Sequence, residues 1–307
     1  SGGEALLSEK RPLPQNLPTS PKNFLWRNAG VFGIMAGESA KGRVDMIQAI
    51  AFDMDDTLLN DDREITPYTL TILRRAADKG IHIVPASGRA RGSMIDFVEQ
   101  MGCASAFVAC NGADVYSPKG ELWKQEAFTV EQAKRCAQFA QETDCYAQCY
   151  YDDHFYFAGE KQWADAYASA SMLTGQNIGN LVDFIDRPTG KILMMAEPEK
   201  IARLLPEARR LFSDIAAVSC SKPYFLEMNP RNATKGNALK YLAERWGLHA
   251  EEFMAFGDSL NDLSMLTWAG EGVAMANARE DVKAQVRHVC GTNQEDGVAR
   301  YIESLLL

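Results

Sequence analysis

The sequence predicts an α/β fold, a doubly wound parallel sheet, with a smaller α+β domain inserted into it. Three observations carry that prediction. From Met46 to about residue 120, short apolar runs alternate with amphipathic stretches, the pattern of a parallel sheet covered on both faces. The same pattern resumes at Glu227. Between them, helical stretches mix with paired strand-like runs, as in a self-contained unit. The sheet domain is therefore expected over 46–120 and 227–307, interrupted by a cap over 121–226.

Residues 1–45 stand apart. Pro12, Pro14, Pro18 and Pro21 oppose regular structure, and Ser1-Gly2-Gly3 stands where a starting Met would. Arg27 and Asn28 interrupt the apolar patch of Phe24-Leu25-Trp26 and Val31-Phe32-Gly33-Ile34-Met35, which argues against a signal peptide. This segment is read as a linker or an added extension, with the folded part opening at Met46.

Residues 46–52 are then expected as a strand. Thr66 caps a helix with Pro67 at its first position, Gly80 stops it, and Leu70, Leu73 and Ala77 share a face. A second strand covers 81–86, a helix 92–101 ends at Gly102, and a third strand over 106–110 closes on Asn111-Gly112. In the insertion, helices are expected over 130–142, 162–173 and 198–212. Strands are expected over 191–196 and on either side of Asp152-Asp153-His154 within 146–157. The aromatic residues of that hairpin either line a pocket or pack the insertion's own core. Thr234 caps a helix over 235–247 with Leu239, Leu242 and Trp246 on one face. A strand over 253–256, a helix from Leu260, a short strand over 272–275 and a helix over 298–306 complete the chain.

The totals exclude some classes. A formal net charge of −9, from 32 basic and 41 acidic residues, argues against a nucleic-acid or anionic-membrane surface. No apolar run approaches the roughly 18 residues of a membrane helix. Seven scattered cysteines without a Cys-x-x-Cys pair fit a reduced, cytoplasmic compartment. The four histidines show no ligand or triad spacing, and no feature sets an oligomeric state.

The first strand ends in Asp53-Met54-Asp55-Asp56-Thr57. Clustered carboxylates repel and their pKa values rise unless a cation joins them. Mg²⁺, which takes one or two carboxylates plus a substrate phosphate, is the expected partner, against the alternative of a plain acidic turn. Asp53, Ser87, Asn111 and Asp258 each follow the carboxyl end of an expected core strand, the rim where open α/β sheets bind ligands. Lys235 opens a helix, where a cation is disfavoured unless an anion is bound nearby. Ser259 and Asp262 also match a Ser-x-x-Asp capping box, a purely structural arrangement. Asn111-Gly112 is a good turn sequence in its own right.

Four segments together resemble the haloacid dehalogenase superfamily, in its Cof-type branch with a large α/β cap. They are Asp53-Met54-Asp55-Asp56-Thr57, Ser87 within Ala86-Ser87-Gly88-Arg89, Lys235 within Thr234-Lys235-Gly236-Asn237, and Gly257-Asp258-Ser259-Leu260-Asn261-Asp262. One departure is Asp56, where the branch usually has Gly. The resemblance implies a phosphatase of small phosphorylated metabolites, sugar phosphates or phosphorylated cofactors. Asp53 would be the nucleophile and Asp55 the acid and base, its pKa held up by its neighbours. Mg²⁺ would be held by Asp53, the Asp55 backbone carbonyl and Asp258, with Asp262 close by or acting through water. Ser87, with Gly88 beside it, and Lys235 would hold the phosphoryl group. Arg89, Asn111 and Asn261 would lie at the substrate or one layer behind it, Arg89 either reaching the substrate or bracing its loop. A phosphomutase shares the nucleophile. A receiver-like domain or a sensor without turnover is the alternative from another class.

Overall fold

The computed structural model of the chain describes residues 46–151 and 153–306; the readings of residues 1–45 and of Asp152 lie outside them. Five strands come first: β1 (Ala49–Phe52), β2 (His82–Pro85), β3 (Phe107–Ala109), β4 (Asp114–Tyr116) and β5 (Leu122–Gln125). Next are β6 (Tyr146–Tyr151), β7 (His154–Ala158), β8 (Thr174–Asn177), β9 (Ile192–Met195), β10 (Ala216–Ser219) and β11 (Phe225–Pro230). The chain then adds β12 (Phe253–Gly257), β13 (Glu271–Ala274) and β14 (His288–Val289).

The expected parallel sheet runs β14-β13-β12-β1-β2. Its interior strand β1 reads Ala-Ile-Ala-Phe and is wholly buried, because helices cover both faces of a parallel sheet and both sets of side chains must be apolar. The third expected strand differs. The segment leading into and through β3 meets the β2 segment through two isolated parallel bridges, Ile83 to Ala104 and Ala86 to Val108, and β3 pairs antiparallel with β4, which pairs with β5.

The inserted sheet is ordered β10-β11-β9-β6-β7-β8 and is antiparallel except between β7 and β8. β5 pairs with β4, and β11 stays paired in the inserted sheet through Pro230. Of the aromatic hairpin, Tyr151 is buried in the insertion's own core, whereas Tyr146, Phe155 and Phe157 are buried in a second cluster that also takes in Ala90, Cys110, Ala113 and Ala233 from outside the insertion.

Among the helices, α1 (Pro67–Asp78) and α2 (Ile95–Met101) flank the parallel sheet. Thr66 Oγ1 accepts the Thr69 N–H, and Pro67 follows, so α1 starts as expected. Its buried stripe is Thr69, Ile72, Leu73 and Ala76, whereas Leu70 and Ala77 flank it half-buried; the expected face was turned by about one residue. A 3₁₀ turn at Arg91–Ser93 precedes α2, and Gly102 ends it at φ +66°. The insertion carries α3 (Val130–Glu142), α4 (Lys161–Ser171), α5 (Leu181–Phe184) and α6 (Pro198–Leu211). The last four are α7 (Lys235–Trp246), α8 (Leu263–Leu266), α9 (Glu280–Lys283) and α10 (Gly297–Leu306). The helix expected from Leu260 begins three residues later, at α8, because Asp258–Asp262 forms a loop held by the Asp262 carboxylate. Among the described residues no helix is long and apolar enough to cross a membrane.

The Asn111-Gly112 turn lies under the first residue of α7. Gly112 has φ +104°, and a Cβ there would fall 2.2 Å from the Thr234 carbonyl oxygen. Gly112→Ala is expected to cost at least about 1–3 kcal/mol, the usual penalty of overpacking, with backbone strain added. A urea melt of the variant checks this; an unchanged midpoint would show that the turn gives way freely.

Candidate active site

β1 lies between β2 and β12, and that order builds the site. Asp53 continues β1, Ser87 follows β2 on one side, and Asp258 follows β12 on the other. The Asp53 N–H still donates to the Phe256 carbonyl of β12 at 3.0 Å, so its position is fixed by the sheet. Beyond it the chain turns sharply, with Asp56 at φ +59°. That left-handed conformation explains why glycine suits the position, and a short polar Asp tolerates it. The Asp56 carbonyl accepts from Asn277 Nδ2 at 2.7 Å, which helps hold the turn.

Lys235 is completely buried. It is not a solvated first-turn lysine: its ammonium donates to Asp53 Oδ1 and, at 2.6 Å, to Asp262 Oδ1. Asp262 Oδ2 accepts the N–H groups of Asp258 and Ser259, both at 3.0 Å. The Ser259 hydroxyl donates to Asp258 Oδ2 at 2.9 Å, so only half of the expected capping box forms. Thr57 Oγ1 donates to Asp258 Oδ1 at 3.0 Å.

Asp53, Asp258 and Asp262 each offer one oxygen, all within 4.8 Å of one another. Burial pushes the Asp53 pKa well up; Lys235 opposes the rise, and Asp262, Asp258 and Asp55 add to it. Burial, then Asp262, raises Asp258 to about 6. Burial works against the Lys235 ammonium, yet Asp262 and Asp53 outweigh it and its pKa is raised. These directions agree: the ammonium keeps its proton, while Asp53 and Asp258 stay short of positive charge. The donor set therefore fits a divalent cation. Asp53 and Asp258 would hold it, while both Asp262 oxygens are engaged by Lys235 and the backbone.

Asp55 differs from expectation. Arg89 grips it with two hydrogen bonds, Nε to Oδ2 at 2.8 Å and Nη2 to Oδ1 at 2.7 Å. Burial alone would raise its pKa, but Arg89, then Lys222 and Arg63, outweigh burial and hold it below the usual carboxylate value. In this structure its neighbours lower that pKa rather than raise it. Arg89 thus braces the acidic turn.

Ser87 is buried, with its N–H on the Val108 carbonyl at 2.9 Å, and its Oγ accepts the Arg89 N–H at 3.1 Å. Gly88 is packed against Asn111: a Cβ would come 2.9 Å from Asn111 Oδ1. Asn261 Nδ2 donates to Asn111 Oδ1 at 3.0 Å, and Asn111 Nδ2 to Asn229 Oδ1 at 3.2 Å. Asn229 in turn donates to the Cys110 and Gly190 carbonyls. The Asn-Gly turn is therefore more than a turn: with Asn261 it joins the rim to β11.

One cavity holds Asp53, Asp55, Ser87, Gly88, Asn111 and Asp258 together. Its other wall brings residues without a motif, Tyr167, Lys191, Lys222, Phe225 and Glu227 of the inserted domain and Arg63 of the loop after the acidic turn. Phe225, Glu227 and Asn229 alternate along β11, and the opposite residues Leu226 and Met228 fill the inserted core. That alternation was the available signal, and it shows β11 with two buried faces.

A parallel sheet with a buried aspartate, lysine and serine on one rim, roofed by an inserted domain, defines a hydrolase of the phosphatase type. The chain belongs to the haloacid dehalogenase-like hydrolases, whose family model matches residues 50–302, and within them to the Cof-type branch. It is similar to phosphatase YwpJ of Bacillus subtilis, at 30% identity over 308 residues, covering 85% of this chain and 100% of that protein. It is also similar to the 5-amino-6-(5-phospho-D-ribitylamino)uracil phosphatase YitU of the same organism, at 29% identity over 83% of this chain and 96% of that one. A crystal structure of a haloacid dehalogenase-like hydrolase from Bacteroides thetaiotaomicron superposes with a TM-score of 0.77 at 28% identity, covering 85% of this chain and 100% of that one. A Thermotoga maritima protein gives 0.75 at 32%, covering 85% and 98%.

Proposed function

We propose that the protein is a Mg²⁺-dependent phosphatase of small phosphorylated metabolites that works through an aspartyl phosphate on Asp53. The observation that carries this reading is the placement of Asp53, buried at the end of the interior strand β1 with Lys235 on one oxygen and Asp258 close by. An Asp53 oxygen attacks phosphorus while the bond to the leaving oxygen breaks, and Asp55 gives that oxygen a proton. Water then attacks the same phosphorus, Asp55 takes the water's proton, and inorganic phosphate leaves with Asp53 restored. Asp55 clamped by Arg89 is in the ionised state that the second step needs; for the first, Arg89 turns to the phosphoryl oxygens and Asp55 takes up a proton. Ser87 and the Gly88 N–H hold phosphoryl oxygens, and Lys235 balances their charge. Mg²⁺ held by Asp53, Asp258 and the Asp55 carbonyl would add charge neutralisation at the phosphoryl group. Asp262 positions Lys235 and the Asp258 loop.

The inserted domain roofs the cavity, which supports a small substrate shielded from water. The ribityl phosphate named for YitU supports a phosphorylated cofactor intermediate as one candidate. All seven cysteines are free thiols, which supports a cytoplasmic setting. EDTA is expected to stop phosphate release from an aryl phosphate and Mg²⁺ to restore it. Release at the full rate without metal would overturn the reading, and a panel of phosphorylated sugars and cofactors then identifies the substrate.

A further inference from the structure

Lys191 and Glu227 form a buried ion pair in the roof of the catalytic cavity, their side chains 4% and 5% exposed. The Lys191 ammonium donates to Glu227 Oε1 and, at 3.2 Å, to the Gly88 carbonyl. Burial works against that ammonium, but Glu227 outweighs it, so the proton is held more firmly than in an ordinary lysine. Glu227 Oε2 is different. Among the described residues it is the one buried side-chain nitrogen or oxygen without a hydrogen-bond partner. Leaving such an acceptor bare costs about 1–3 kcal/mol, more for a charged group, so a donor is expected to meet it in the working complex.

The position of this acceptor limits what the donor can be. Through Lys191 it is tied to Gly88, the neighbour of Ser87, and so to the phosphoryl end of the cavity. A monoester bound there directs its leaving group toward the roof. Lys191 already balances the charge of Glu227, so a neutral donor suffices and a second cation is not called for. We infer that Glu227, held by Lys191, is the residue with which the inserted domain reads the leaving group, its bare Oε2 accepting a hydrogen bond from a hydroxyl of a polyol or sugar phosphate. This rests on the phosphatase reading and adds the specificity determinant to it.

The test is a binding comparison in the full-length chain carrying Asp53→Asn, so that ligand is not consumed, with Mg²⁺ present. Ribitol 5-phosphate and pentyl phosphate share a carbon chain and a phosphate and differ in hydroxyls. Calorimetric titration is expected to show the polyol ester bound about tenfold or more tightly, the usual worth of a hydrogen bond to a charged group. Adding Glu227→Leu should erase that difference while changing pentyl phosphate affinity less than about threefold, because an apolar side chain offers the polyol no hydrogen bond. A Lys191→Met/Glu227→Leu pair guards against a stranded ammonium disturbing the fold. If neither variant folds, the two ligands on the Glu227 chain decide. Equal affinity for both ligands, or parallel loss of both on substitution, overturns the inference. Failure of the Asp53 enzyme to release phosphate from any ester would instead sink the hydrolase reading and leave the binding comparison standing.

Discussion

Asp53→Asn is expected to lower kcat on an aryl phosphate by about 10⁴-fold or more while the protein stays folded, as loss of a covalent nucleophile does. The geometry separates chemistry from stability. Burial and three neighbouring carboxylates already disfavour the charge on Asp53, so an amide relieves repulsion, and Lys235 keeps its bond to Asp262. In metal-free buffer the variant should melt at or above the wild-type temperature. Phosphate release and a circular dichroism melt check both halves. A variant that keeps most of its activity removes Asp53 as nucleophile; one that unfolds shows that its charge holds the rim together.

Lys235→Met should do the reverse, costing stability as well as turnover. It leaves Asp53 and Asp262 buried face to face without the ammonium between them. Breaking a buried pair by removing one partner costs about 3–5 kcal/mol. Losing a charge aimed at the phosphoryl group costs about 10²–10³ in kcat. The stability loss also has a sign in pH. A carboxyl whose folded pKa lies above its unfolded value binds more protons when folded, so stability falls as pH rises through that interval. Asp53 is such a group, and without Lys235 it is more so; the deficit should be larger at pH 7 than at pH 5. Urea midpoints of metal-free protein at the two pH values test this. A deficit that grows as pH falls would contradict the charge balance assigned to the rim.

The rim was legible because each landing residue follows an apolar run, and a parallel sheet sends all such ends to one edge. Asp53, Ser87 and Asp258 need only the strand order to become neighbours. What was not legible depended on contacts across long separations. Arg89 follows Ser87 by two residues, and nothing local shows that it turns onto Asp55 and lowers a pKa expected to be high. Glu227 and Asn229 alternate with Leu226 and Met228, which in an antiparallel sheet normally means one wet face. Here that face is laid on the other domain, so polar residues that look outward-facing are buried. The short β8, β10 and β14 escaped notice because two to four residues carry too little periodicity.

The run of β11 into α7 has a consequence for how such proteins diversify. The last strand of the inserted sheet ends at Pro230, and only residues 231–234 separate it from Lys235. Asn229 at its end is pinned to the Cys110 carbonyl. A foreign roof spliced in at this seam would inherit the task of aiming the buried ammonium, so exchanging roofs between relatives should succeed only when the strand leading into the helix is left native.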